Sequence, residues 1–457
     1  MNRSTVTVGN RQDLGGCLRE IFDPAFWKYA FQAVPSGAYR WSLSQLGYTA
    51  IAMALSPQPT LGDRFSDGRE LTAALFCRRH RPGQTYQGFA DALAREGEPL
   101  GRELRRRLQQ VMGPGLDRWE GLAFAVDGSR QLVVHSAANV AAFGETRIKN
   151  RTASAPQLLV AAAVHIGSQV LYDWEVAGGN ASEPALIARL IDRLPAGALV
   201  VKDAGTVSYD WIRGVLDSKR HLLMRVAGNF SLYAKSVATV ARRGGTVFLW
   251  PAAKAGERPL RLRLIALPRK GPAKRKKGRK RGRKKGKGSK PRTRYIYLLT
   301  DLSPAELSEA QAGRFYWGRW GANEIGFRRW KQTLGARKML SRSPEMAKLE
   351  SFYSLLALQL LQVLQFLASS GAPRRGSVAN TWRLWRKTVQ QRVAGHCRAD
   401  FGGRLRQCVL DDYQRHRPKQ RRRAPQKKRL DRLGPPLLRK VPKALKLKWE
   451  REYQHAG

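Results

Sequence analysis

Two uninterrupted apolar runs, each closely followed by an aspartate, most strongly limit how this chain can fold. The run Leu122–Val126 precedes Asp127, and the run in GALVVKD is followed by Lys202 and Asp203. Such unbroken runs are typical of strands buried on both faces. Between them, EPALIARLIDRLP has its apolar residues at helical spacing. Strand, helix and strand with acids at the strand ends predict an α/β domain.

Strand patterns continue around this helix. The stretch LLVAAAVHIGSQVLYDWEV predicts two strands joined by a tight turn at Gly167–Ser168. Farther along, YDWIRGVLDSKRHLLMRV predicts a helix and a strand, and GGTVFLWP, RPLRLRLIALP and YIYLLT predict a β-rich passage. We therefore expect an α/β core over residues 120–345, with a β-rich insertion at residues 220–300.

The regions on either side of this core have helical patterns. In residues 1–115, apolar residues recur three and four apart and arginines fall on the polar faces, which predicts a helical domain. Residues 346–413 are also predicted to be helical, and residues 414–457 form a basic tail. In the C-terminal helix, Trp382 and Trp385 alternate with cations. They either stack on bases or anchor an amphipathic helix, and we favour the anchor.

Positive charge dominates the composition. The chain has 84 lysines and arginines against 34 aspartates and glutamates, a formal net charge of +50 at pH 7. This charge favours a polyanionic partner, above all nucleic acid. Ribosomal and chromatin-like proteins share it, but they are usually shorter and lack a long low-charge middle. In residues 269–294, 16 of 26 are Lys or Arg, which predicts a disordered basic loop that contacts DNA phosphates or is a solvated insertion.

Cysteine content and hydropathy exclude several protein classes. Four scattered cysteines do not form a disulfide framework, which fits a reducing cytosol. Cys397 and Cys408 can be drawn with His396 and His416 as a zinc site, but their spacing matches no compact finger. The N-terminus has no apolar segment of the signal-peptide kind. The longest apolar run, from Ser351, is interrupted by glutamines and predicts a buried core helix, not a membrane span.

The stretch YWGRWGANEIGFRRWKQTLGARKMLSRSPE places one carboxylate among cations and aromatics at helical spacing. At about 100° per residue, Phe327, Arg328 and Lys331 fall on the helix face of Glu324. An acid and two cations on one face suit phosphate binding. An ordinary surface helix with ion pairs is the alternative.

The order Tyr316, Arg319, Glu324 and Lys331 resembles the Y-R-E-K signature of DDE transposases of insertion sequence family four. KQTLGARKMLSRSPE after it, and VDGS and VKDAG around the two aspartates, are also similar to family motifs. The resemblance covers residues 122–361. The family has three residues between Arg and Glu, whereas this chain has four. On a regular helix the five-residue step turns Arg319 about 140° away from Glu324, unless the helix begins later or bulges near Gly321.

The resemblance implies an α/β fold with a ribonuclease H-like catalytic core and a β-rich insertion, flanked by helical N- and C-terminal regions. It implies that Asp127, Asp203 and Glu324 bind Mg²⁺ or Mn²⁺, with two ions expected for phosphoryl transfer. The residues that would contact phosphates of the transposon end are Tyr316, Arg319 and Lys331, with Arg328 as a further cation on the Glu324 face.

The implied function is cut-and-paste DNA transposition. An enzyme of this kind nicks each element end, forms and resolves a hairpin there, and joins the 3′-hydroxyl to a target. The implied partners are double-stranded DNA, at terminal inverted repeats and at the target, and a second copy of the chain in a homodimer. Residues 1–115 would bind the DNA ends or serve as a packing domain with a basic face. The expected location is the bacterial cytoplasm, at the nucleoid, with no membrane association.

Alternatives remain at the level of both residues and function. Asp301 also follows a strand, but Ser303 and Glu306 after it match a capping box. The neighbours of Asp173 likewise indicate a structural role. The functional alternatives are a catalytically silent DNA-binding derivative, marked by the altered Arg319 spacing, and a ribonuclease H-like nuclease without strand transfer.

Overall fold

The protein is a mixed α/β chain with two compact units. The computed structural model describes residues 12–34, 41–76, 82–116, 121–147, 154–203, 205, 208–251, 258–268, 295–369, 376–396, 400–409 and 434–442. The first unit comprises residues 1–194 with 320–414, and the second comprises residues 195–319 with 415–457. The basic segment 269–294 and most of the tail 414–457 lie outside the described residues. The domain limits and the ribonuclease H-like class stay predictions.

The first unit begins with helices that start at clear capping residues. The helices are α1 (Leu14–Ile21), α2 (Pro24–Ala33), α3 (Leu43–Leu55), α4 (Leu61–Leu75) and α5 (Tyr86–Leu116). Asp13, Asp23, Ser42 and Thr60 each accept a hydrogen bond from the backbone N–H three residues later. These caps satisfy donors that the first turn leaves unpaired, so the sequence sets where these helices begin.

An antiparallel sheet follows in the same unit. Its strands are β1 (Ala123–Leu132), β2 (Glu145–Arg147), β3 (Ser154–His165) and β4 (Leu171–Gly178), accompanied by α6 (Ala137–Phe143) and α7 (Glu183–Asp192). Strand β3 pairs with β1, β2 and β4. Its apolar stretch Leu158–Val164 is buried throughout, as expected for a central strand.

The position of Asp127 differs from the sequence-based expectation. We expected the strand to end there, but β1 continues to Leu132 and stays paired with β3, with Asp127 opposite Ala162. The apolar run ends because most residues from Asp127 onward are less buried than those before it, and the strand itself continues. Beyond Asp127 the side chains of Ser129 and Gln131 form hydrogen bonds to other parts of the unit, so polar residues continue the strand.

The long apolar helix α11 (Pro344–Ala368) is a core helix, followed by α12 (Val378–Val393) and α13 (Phe401–Leu405). By length and composition α11 could cross a membrane, but 89% of its most apolar window is buried inside the protein. Two of its glutamines bond to the β3–β4 hairpin. Gln359 donates to the carbonyls of Leu171 and Tyr172, and Gln362 accepts from the Leu171 amide. These two polar interruptions of the helix therefore satisfy backbone groups of β4.

Glu350 on α11 holds the segment that follows the signature. Its carboxylate accepts hydrogen bonds from the backbone amides of Leu340 and Ser341, at 2.9 Å each, and lies 3.6 Å from the Arg64 guanidinium. Burial raises the pKa of this carboxyl, even though the hydrogen bonds and Arg64 oppose the shift.

Glu350→Ala is expected to lower the free energy of unfolding by about 3 kcal/mol, because two backbone amides lose their acceptor. Glu350→Gln keeps an acceptor oxygen and should cost less. Since the folded pKa is raised, the folded carboxyl holds its proton more tightly than the unfolded one. The stability of the parent relative to Glu350→Gln should therefore rise as the pH falls from neutrality toward 4.5 in urea titrations. A stability difference between the parent and Glu350→Gln that does not change with pH would contradict the raised pKa of Glu350.

The second unit is built around a mixed sheet. Its elements are β5 (Leu199–Lys202), α8 (Tyr209–Asp217), β6 (His221–Val226), β7 (Ser231–Ala234), α9 (Val237–Arg243), β8 (Gly245–Leu249), β9 (Leu260–Pro268), β10 (Tyr295–Thr300) and β11 (Leu437–Lys440). The strand order is β11-β7-β8-β9-β10-β6-β5, in which β5–β6 and β7–β11 pair in parallel. Asp203 directly follows β5, as the sequence predicts.

The signature lies on helix α10 (Glu309–Arg328), which continues into a π-helical segment at Arg329–Thr333. The boundary between the two units falls within α10, after Arg319. The helix begins well before Arg319 and is α-helical through Gly321, so neither exception that would return Arg319 to the Glu324 face is present. Arg319 is 6% exposed and Glu324 is exposed, in agreement with the turn expected of a regular helix.

Candidate active site

Asp127 is half-buried on β1, and its Oδ1 accepts a hydrogen bond from the Gly128 amide at 2.9 Å. Because side chains alternate along a strand, Asp127, Ser129 and Gln131 share one face of β1. The segment after α10 contacts this face. Lys331 donates to Ser129, and Gln131 donates to a backbone carbonyl of that segment. The first unit therefore places the end of the signature two residues along the strand from Asp127.

The opposite face of β1 faces a different acid, which sequence reasoning missed. A Cβ atom added to Gly128 would lie 2.6 Å from the Glu183 side chain, so Glu183, the first residue of α7, contacts the strand there. Gly128 is the residue that permits this close approach. Glu183 lies on the face opposite Asp127 and provides a comparison for it.

Glu324 and Arg328 lie four residues apart on the exposed side of α10, with Trp320, which is 42% exposed. This agrees with the predicted common face for Glu324 and Arg328. Asn323 has the opposite environment. It is completely buried, and neither its amide oxygen nor its amide nitrogen has a hydrogen-bond partner among the described residues. Asn323 was not among the site residues predicted from the sequence, although it occupies the position that the family spacing gives to the glutamate.

The second unit brings together three of the predicted site residues. Arg319 donates to the Asp203 carboxylate at 3.2 Å, and its guanidinium lies 5.6 Å from the centre of the Tyr316 ring. Tyr316 is 5% exposed, and burial, followed by the nearby Asp203 charge, raises the pKa of its hydroxyl. An ion pair of this kind orients both side chains. It also means that Arg319 already has an anionic partner within the chain.

Lys331 lies in the π-helical segment. Its ammonium donates to the Ser129 hydroxyl at 2.7 Å and to the Arg130 carbonyl at 2.5 Å. Burial, followed by the nearby Arg337 charge, lowers the pKa of this amine to about 8. The side chain predicted to bind phosphate therefore has two protein acceptors in the first unit.

The donor set suits a hard divalent cation, because carboxylate oxygens are the ligands that Mg²⁺ and Mn²⁺ prefer. Asp127 and Glu324 belong to the first unit and Asp203 to the second. Within the described residues, no group of three or more His, Cys, Asp or Glu is arranged to hold a metal ion. The side-chain chemistry thus fits the metals expected for such a site. That the three carboxylates come together around those metals stays a prediction.

The competing acids have structural partners. Asp173 is 1% exposed, accepts from its neighbouring Trp174 amide, and pairs with Arg105 and Arg193 at 2.8 Å each. Asp301 accepts from the Leu222 amide at 2.8 Å and from His221. Both carboxylates hold segments of their own unit together.

The remaining residues singled out by sequence motifs make structural contacts or lie outside the described residues. Ser303 and Glu306 form the predicted reciprocal hydrogen bonds, but α10 begins later, at Glu309. Trp385 is 3% exposed, and the Trp382 indole donates to the Leu55 carbonyl, as expected for helix anchors. For the zinc alternative, Cys397 and His416 lie outside the described residues.

Comparison with known proteins identifies a family model and a likeness to solved structures. The model described as the transposase DDE domain matches residues 119–360. Among solved structures, the chain is similar to a piggyBac transposase in a synaptic complex with hairpin DNA. The likeness has 12% sequence identity, 85% coverage of this chain, 86% coverage of that chain and a TM-score of 0.37. No curated protein matches the chain.

Proposed function

This chain belongs to the transposase DDE domain family, and we propose that it cleaves transposon ends and transfers them to target DNA by a cut-and-paste route. The observation that carries the proposal is the family match over residues 119–360, which includes Asp127, Asp203 and Glu324. The net charge of +50 supports DNA as the partner. A ribonuclease H-like core, a homodimer on DNA and a location at the bacterial nucleoid belong to the same proposal.

Asp127, Asp203 and Glu324 are the proposed catalytic carboxylates and would hold Mg²⁺ or Mn²⁺. When bound, two such ions supply activation of the attacking hydroxyl and stabilisation of the leaving oxygen in displacement at phosphorus. Arg328, exposed on the Glu324 face, would bind a DNA phosphate. The Arg319–Asp203 pair orients the second carboxylate, and Tyr316 packs beside it. Phosphate contacts by Tyr316 and Arg319 remain part of the proposal.

A second candidate is a DNA-binding derivative without catalysis. The observation that favours it is the placement of Asn323, which is buried at the family's glutamate position while Glu324 is exposed one residue later. In such a derivative the basic surface would still bind DNA, because phosphate contacts do not need the carboxylates.

The test uses the full chain and a duplex that carries the inverted repeats bordering its gene, with flanking DNA. The proposal predicts nicks at the repeat ends in Mg²⁺ or Mn²⁺, none in chelator, and later joining of the freed 3′-ends to a second DNA. Glu345→Gln, an exposed acid at the start of α11, should cut like the parent.

Each alternative gives a different pattern in this assay. Binding that weakens with salt, without cutting in either metal, would replace the proposal by the silent derivative. Cutting without joining, at saturating target DNA, would indicate a nuclease.

A further inference from the structure

We propose that Lys331 is a positioning residue, which ties the end of the signature helix to β1 and so fixes Glu324 relative to Asp127. This inference rests on the proposed function, because it assigns a task to Lys331 within the same site. It replaces phosphate binding as the main task of that side chain.

A series of contacts joins β1 to the segment that follows α10. Lys331 bonds to Ser129 and Arg130, Gln131 donates to the Ala336 carbonyl at 2.8 Å, and the Met339 amide donates to the Leu132 carbonyl at 2.9 Å. The contacts advance in the same direction along both segments, and a parallel bridge joins Leu132 to Lys338. Lys331 makes the first contact of this series, the one nearest to Asp127.

The π-helical segment Arg329–Thr333 is held by contacts of its side chains. A π-helical turn contains an extra residue compared with an α-helical turn, and such turns are rare. Trp330 is completely buried, and its indole donates to Ser354 of α11 at 2.7 Å. Lys331 holds the next residue of the segment to β1. The segment is therefore fixed on two sides, by α11 and by β1.

Helix α10 is also held in place before Glu324, at Gly321. Gly321 lies so close to the β3–β4 turn that an added Cβ would meet the Gln169 amide nitrogen at 2.8 Å. Arg329 also donates to the Gln169 side chain, at 3.2 Å. Glu324 therefore lies between a close contact at Gly321 and the tether at Lys331, although its own side chain is exposed. Loss of the tether would remove the contact with β1 that lies nearest to this span, while Arg329 and Trp330 would still hold it to Gln169 and to α11.

The contacts of the Lys331 ammonium distinguish positioning from phosphate binding. A lysine ammonium has three N–H donors, and Lys331 uses two of them on Ser129 and Arg130. Arg328, three residues earlier, is exposed and offers its cation to solvent. Removing the charge of Lys331 should therefore affect the cleavage rate, whereas removing the charge of Arg328 should affect DNA binding.

The experiment compares Lys331→Met with Arg328→Met, its matched control, in the full chain. Lys331→Met should lower the cleavage rate at saturating DNA by about 100-fold, as expected for a small misplacement of catalytic groups. Its DNA dissociation constant and salt dependence should match those of the parent. Arg328→Met should weaken binding and reduce the salt slope by about one. If Lys331→Met reproduces the Arg328→Met pattern, with its rate at saturation unchanged, Lys331 binds phosphate and the proposal fails.

A second measurement needs neither DNA nor catalysis. Hydrogen exchange of the β1 amides should accelerate in Lys331→Met and in Ser129→Ala. The double variant should exchange no faster than the faster single variant, because both substitutions break the same contact. Strictly additive effects, or unchanged exchange, would overturn the tether. A parent protein that cleaves no DNA but shows this coupling would refute the proposed function and leave the tether intact.

Discussion

Asp127→Asn is expected to slow metal-dependent DNA cleavage by about 1,000-fold, which corresponds to about 4 kcal/mol of lost transition-state stabilisation. Asparagine has nearly the same shape and keeps a side-chain oxygen that can accept the Gly128 amide hydrogen bond seen at 2.9 Å. The strand should therefore stay folded, and only the anionic charge and its metal affinity are removed. Cleavage rates at saturating DNA, in Mg²⁺ and in Mn²⁺, measure the effect.

Glu183→Gln is the matched control for this variant. Glu183 contacts the same strand from its opposite face, at Gly128, so neutralising it should leave cleavage within about threefold of the parent. DNA affinity should be unchanged in Asp127→Asn, because the basic surface is intact. If Asp127→Asn cuts as fast as the parent, or if both variants fail equally, Asp127 is not a catalytic carboxylate.

Asp173→Ala should lower the free energy of unfolding by about 4 kcal/mol, the cost of leaving buried charges without their partner. Its carboxylate is 1% exposed and pairs with both Arg105 and Arg193 at 2.8 Å. Removing it leaves the buried Arg105 guanidinium without its carboxylate partner. Burial already lowers the pKa of this guanidinium, and the nearby Asp173 charge opposes that shift. Urea unfolding followed by circular dichroism provides the measurement.

Arg189→Ala provides the comparison for the Asp173 variant. Its side chain is 56% exposed and lies 3.9 Å from Glu175, so its removal should change stability by less than about 0.5 kcal/mol. A loss of similar size in both variants would mean that the buried network adds nothing beyond surface ion pairs. Unchanged stability in Asp173→Ala would remove the structural explanation for this acid.

The sequence predicted the elements well where apolar patterns were unbroken. The runs before Asp127 and Asp203 form buried strands, and the long run from Ser351 lies in a buried helix. The end of β1 was predicted wrongly, because the end of the apolar run at Asp127 was taken as the end of the strand. Ser129 and Gln131 are polar because they bond to a segment 200 residues away, which no local pattern can show.

The site was predictable only as a set of residue types. Helical geometry correctly separated Arg319 from Glu324, because the five-residue step allows no other result on a regular helix. The pairing of Arg319 with Asp203 and the burial of Asn323 depend on tertiary packing. The π-helical segment at Lys331 was also missed. The contacts that hold it, from Trp330 to α11 and from Lys331 to β1, are made with distant parts of the chain, which a local pattern does not show.

A joining assay with a pre-cleaved transposon end tests the central claim most directly. The end carries a free 3′-hydroxyl and is incubated with target DNA, the full chain and Mg²⁺. We expect a covalent joined product, none from a 3′-deoxy end, and none with Asp127→Asn or Glu324→Gln even though both bind the DNA. No joining by a parent protein that binds the end tightly, or equal joining by those two variants, would contradict the claim.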